Sequence, residues 1–95
     1  MQEGTTATGF VYEFDETNAD DMRLVDALAT CMDEDSSSFE TVTAASRAAE
    51  LLLGKDLKKR LYAHIGAANG GRVPAEALMN ELLDIMSGED AEKNS

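Results

Sequence analysis

Residues 51–86 read LLLGKDLKKRLYAHIGAANGGRVPAEALMNELLDIM and set out two helices in succession, each with its own start and stop. Gly54 closes an apolar run that begins at Leu51. Beyond it Leu57, Leu61 and Ile65 recur at four-residue spacing, which predicts one apolar face of a helix over about 55–67. Asn69, Gly70 and Gly71 break that pattern. Val73-Pro74 opens the next helix, over about 74–87, because proline fits a first helical turn, where its missing N–H has no partner to lose. Leu78, Leu82, Ile85 and Met86 are its inward positions, and Gly88 stands where a C-cap is expected.

Two further helices are expected upstream. The first covers about 19–32, with Thr17 or Asn18 as cap and Asp20 and Asp21 in a first turn that favours carboxylates. Met22, Val25, Leu28, Ala29 and Met32 form its apolar stripe, and Asp33-Glu34-Asp35 ends it. Ser37 and Glu40 then have the S-x-x-E form of a capping box. The helix they open carries Phe39, Val42, Ala45, Ala49, Leu52 and Leu53 inward. Alanines 44, 45, 48 and 49 allow a neighbouring helix to come close. At the N-terminus Phe10, Tyr12 and Phe14 alternate with polar or smaller residues, the period of a strand. Residues 5–8 are the expected partner, through a turn near Thr8-Gly9. The resulting hairpin needs a helix over its aromatic face, since two strands alone are marginal. The fold class is therefore mainly α: a small four-helix domain with a short N-terminal β-hairpin. Residues 1–88 form one domain and 89–95 a disordered polar tail.

Composition narrows the function. Ninety-five residues with 43% hydrophobic content can bury a modest core, and a net charge of −11 repels nucleic acid and anionic membranes. No apolar run reaches membrane-spanning length, and MQEGTTATGF lacks the basic and apolar regions of a signal peptide. The single Cys31 cannot form an internal disulfide, as expected of a reducing cytoplasm. It reads as a small buried hydrophobe.

Candidate chemistry is sparse. His64, the only histidine, has no nucleophile motif beside it and reads as a surface or interface residue. Asp33, Asp35 and Ser37 resemble half a calcium loop, but Ser38 stands at the glycine position and Ala44 at the closing glutamate. Without a Cys/His cluster, no metal and no cofactor are expected, and no enzyme. Asp35-Ser36 before a helix raises an acyl-carrier-like alternative with Ser36 as attachment site. There an apolar residue should follow the serine, and Ser37 does instead. Lys55, Lys58, Lys59 and Arg60 gather cations on one helix of an acidic protein. Lys55, Lys58, Lys59 and Tyr62 are the candidate partner-binding residues, for another protein or for a homo-oligomer. Met22, Met32, Met79 and Met86 either fill the core or add adaptable contact surface.

The order Gly9-Phe10, Glu13-Phe14-Asp15-Glu16, Asp20-Asp21-Met22 and Leu24-Val25-Asp26-Ala27-Leu28-Ala29 continues into Leu51-Leu52-Leu53-Gly54-Lys55, Lys58-Lys59, Leu61-Tyr62, His64 and Gly71-Arg72-Val73-Pro74. This order resembles the tail assembly chaperones of long-tailed, siphovirus-type bacteriophages and prophages, over the stretch from about Phe10 to Met86. The resemblance implies a non-catalytic protein of the host cytoplasm that coats the helical tape measure protein and brings tail-tube subunits to it. It also implies a longer, frameshifted form. Glu92-Lys93-Asn94 can be encoded as GAA AAA AAC, which contains the slippery heptamer A AAA AAC. The alternative is a generic acidic protein-interaction module.

Overall fold

Gly54 carries the backbone conformation on which the architecture turns. In the computed structural model, which describes residues 1–93 and side chains as far as Ser87, the chain runs β1 (Gln2–Thr5), β2 (Val11–Phe14), α1 (Glu16–Ala19), α2 (Met22–Met32), α3 (Ser38–Ala68) and α4 (Ala75–Lys93). Thirty-one residues of straight helix would extend about 46 Å, yet the longest dimension of the molecule is 37 Å. The difference is made at Gly54, whose φ of 83° and ψ of 167° lie in a region open essentially to glycine alone. The second and third expected helices are therefore both present, as arms 38–53 and 55–68 of α3 that meet at Gly54 and fold back on one another. Residues 46 and 58, which would sit about 18 Å apart along a straight rod, are joined by a hydrogen bond of 2.8 Å from Lys58 Nζ to Ser46 Oγ. Leu52 C=O, just ahead of the bend, accepts from Asn18 Nδ2 at 2.9 Å.

The bend lets both arms share a core with α4. Leu24, Leu52, Leu61, Leu82 and Ile85 are fully buried at its centre. Ala44, Ala45, Ala48 and Ala49 are all buried, and α2 runs against this small-residue face in the opposite direction. Its C-terminal end meets α3 at Cys31, whose Sγ is 3.6 Å from Thr41 O. Burial pushes the Cys31 thiol pKa up, so the group is a weak nucleophile there. The serine box is present as expected: Ser37 Oγ accepts from Glu40 N at 3.1 Å, and Ser37 N donates to Glu40 Oε1 at 3.0 Å.

Several expectations are corrected. The first helix is split, because Asp15 caps α1 through Thr17 N and Asp21 caps α2 through Arg23 N. Thr17 and Asn18 therefore are not caps. The Thr17 hydroxyl donates to Asp15, and Asn18 turns to α3. On α2 the buried residues are Leu24 and Ala27, with Leu28 and Cys31 half-buried beside them, while Met22, Val25, Ala29 and Met32 are exposed. The helix is rotated by about a third of a turn from the expected stripe, which brings its small Ala27 against the alanines of α3. Phe39 and Val42 also point outward, at 79% and 54% exposure. At about 100° per residue, Phe39 lies roughly opposite Ala48 on the helix. Helix α4 begins at Ala75, one residue later than Pro74, and continues past Gly88 to Lys93. Of the expected tail 89–95, the side chains and the last two residues lie outside the described part.

The hairpin forms, in an earlier register than expected. Gln2 pairs with Phe14 and Thr5 with Val11, leaving Thr6 in the turn instead of in the strand. Gly9 takes a φ of 94°, the left-handed position of a three-residue loop, and its N–H donates to Thr6 O at 2.9 Å. Phe10, Tyr12 and Phe14 are buried against the helices. Tyr12 lies across Gly4, where an added Cβ would come within 2.6 Å of the Tyr12 hydroxyl oxygen.

A Gly54→Ala substitution should cost about 1–3 kcal/mol in urea unfolding. The fold of the remaining native population should be unchanged by circular dichroism. A cost near zero would mean that the bend does not depend on glycine.

Candidate functional site

The cation-bearing arm of α3 presents its four candidate residues unequally. Lys55 and Lys59 are exposed. Lys58 is not: its side chain is 17% accessible. Its ammonium reaches Ser46, stands 3.6 Å from Glu50 Oε1, and lies 5.5 Å from the centre of the Tyr62 ring. Lys58 and Tyr62 are thus brought together, and Lys58 serves as an internal strap between the two arms. Tyr62 is half-buried and borders a recess of about 250 Å³ shared with Val42, Val73 and Leu78. The cations therefore do not act as one patch. Lys55, Lys59 and Arg60 are exposed, and Lys58 is committed to the bend.

A polar cluster, invisible in the local sequence, joins the hairpin loop to the helices. Glu81 is only 5% exposed, and Thr6 is equally buried. Thr6 Oγ1 donates to Glu81 Oε1 at 2.9 Å, and Thr8 Oγ1 lies 3.0 Å from both carboxylate oxygens. His64 Nε2 is 3.0 Å from the same Thr8 oxygen. With the single Thr8 proton directed to Glu81, that contact needs His64 to donate from Nε2. The His64 ring also rests 5.4 Å from that of Phe10, and Asp84 Oδ2 accepts from Ala7 N at 2.7 Å. Chemically this is a clasp. The Thr8 hydroxyl already donates to a carboxylate, whereas a nucleophile would need His64 to accept its proton.

The remaining sequence candidates have local tasks. Ser36 Oγ donates to Thr30 O at 2.8 Å, closing the end of α2, and Ser37 is the helix cap that follows. Asp33 Oδ1 accepts from Asp35 N at 2.9 Å within the same turn. Among the described residues, no group of three or more His, Cys, Asp or Glu is placed to hold a metal ion. In the same residues no helix is long and apolar enough to cross a membrane.

The surface that sequence reasoning missed is apolar. Val25, Phe39 and Val42, expected inward, stand in solvent, and so do Met22 and Met32, for which core and contact surface are both open on sequence. Phe39 borders an open groove of about 390 Å³ along the α2–α3 seam, between Arg23 and Thr30 on one wall and Thr43 and Arg47 on the other. The signal available in the sequence was that α2 holds two apolar stripes, 24/27/28/31 and 22/25/29/32, of which a helix packed on one side buries only one. No family model, curated protein or solved structure matches this chain.

Two stability measurements check these assignments. Thr6→Val should cost about 1–3 kcal/mol, because it leaves a buried Glu81 oxygen short of a donor. Lys58→Ala should cost about 1 kcal/mol, against less than about 0.5 kcal/mol for Lys55→Ala or Lys59→Ala. Equal effects at all three lysines would refute the strap.

Proposed function

We propose that this chain is a non-catalytic assembly chaperone of the phage-tail type, which binds the tape measure protein in the host cytoplasm and aids tail-tube assembly. The observation that carries the reading is the apolar surface left in solvent. Met22, Met32 and Phe39 are each more than half exposed in a domain short enough to need its apolar residues inside. Met22 and Met32 share the outer face of α2, and exposed apolar stripes of this kind on a small domain mark binding surfaces. Methionine suits a client of varied sequence, since its unbranched side chain repacks at little cost. The order of residues from Phe10 to Met86, which resembles such chaperones, supports the same reading. A net charge of −11 supports it too, because it keeps a protein with exposed apolar groups soluble and apart from its own copies.

The bound client is a long helical protein with apolar stripes of its own, prone to self-association before assembly. Covering those stripes requires contact area and no reaction. Co-expression with a tape measure protein tests the reading. The soluble fraction of that protein should rise with this chain present. An unchanged soluble fraction would refute the chaperone role.

A further inference from the structure

We infer that the outer face of α2 is a docking site for a cationic amphipathic helix. The inference rests on the chaperone reading for its biological setting, and it names a contact face and a partner chemistry that the reading leaves open. Met22, Val25 and Met32 are 64%, 41% and 61% exposed, with exposed Ala29 between them. Spaced at 22, 25, 29 and 32, they form one continuous stripe on the side of α2 turned away from α3. The stripe is about 15 Å long, three turns of a facing helix. That geometry takes apolar anchors at i, i+3 or i+4, and i+7 from its partner.

Charge decides the occupant. Residues 15–35 contain eight carboxylates and a single cation, Arg23. Arg23 is itself held by Asp21, with Nη2 2.6 Å from Oδ2. Asp20 and Asp21 lie at one end of the stripe, Asp33, Glu34 and Asp35 at the other, and exposed Asp26 lies on the flank. A second copy of the chain laid on this face would bring two such rims together, and like charges at an interface suppress association. A helix with lysines or arginines flanking its apolar stripe meets the opposite condition: its anchors cover the methionines and its cations face the acidic rim. Lys55 and Lys59 are then not the contact. They sit on α3, and their sign would repel this partner.

The test uses the full chain and a fluorescent synthetic peptide of about five helical turns, with leucines at helical spacing and lysines elsewhere. Fluorescence anisotropy should register binding that weakens as salt is raised, since rim charges are screened. A peptide of the same composition in scrambled order, and one with glutamate in place of lysine, should bind at least about tenfold more weakly. The triple substitution Met22→Gln, Val25→Ser, Met32→Gln keeps every charge and alters only exposed positions. It should melt like the parent protein and lose about tenfold in affinity for the lysine peptide. Phe39→Ser, on the other side of the seam, should leave affinity unchanged. Equal binding by the triple variant, equal binding of the scrambled peptide, or no binding at all would overturn the inference. So would a parent dimer in sedimentation that the triple variant disperses, which would make a second copy the occupant. If the peptide results hold while tape measure solubility does not change, the chaperone reading fails and the docking face stands. If the triple variant solubilises the tape measure protein as well as the parent does, the face fails and the reading stands.

Discussion

The bend at Gly54 is the constraint on which the rest of the molecule depends. A positive φ with an extended ψ at one residue turns a rod into two arms, and only then can Leu52 on one arm and Leu61 on the other share a core with Leu82 and Ile85. Breaking a helix in its interior frees carbonyls and donors, and buried polar groups must find partners. Asn18 supplies one such partner to the carbonyl of Leu52, and the side chain of Lys58 straps the two arms together through those of Ser46 and Glu50. One conformational choice thus explains a cap that is not a cap and a cation that is not a surface patch.

Helices and their stops were legible because they depend on local chemistry. The Ser37–Glu40 box, Gly54, the Asn69-Gly70-Gly71 break and the aromatic alternation at 10, 12 and 14 each act within a few residues. Helical phase was not legible in the same way. Helix α2 carries two apolar stripes of similar quality, 22/25/29/32 and 24/27/28/31, and hydrophobicity alone does not choose between them. Close approach to Ala44, Ala45 and Ala48 favours the stripe that offers Ala27 beside Leu24. Tight packing against small residues decides the phase. That outcome is a property of the pair of helices and is written in neither alone.

The candidate binding residues show the same division. Lys55 and Lys59 stand in solvent, as a cation-rich helix face suggests, whereas the engagement of Lys58 follows from the bend and cannot be read from its neighbours. The Thr6–Thr8–Glu81 cluster was out of reach for a simpler reason. Its members are more than seventy positions apart, and nothing in TTAT or in NELL announces the other. The exposed positions of Val25, Phe39 and Val42 depart from expectation for the same reason: which apolar side chains stay outside is decided by how the helices pack.

The clasp between the hairpin loop and Glu81 also sets an order of events during synthesis. Phe10, Tyr12 and Phe14 are synthesised well before the side chains that secure their loop, Glu81 and Asp84. A two-stranded ribbon does not hold itself together in water. Helix α3, which packs on β2, can begin to cover the aromatic face, but the loop stays unsecured until α4 supplies Glu81 and Asp84. Helix α4 thus acts as the lock that closes the fold.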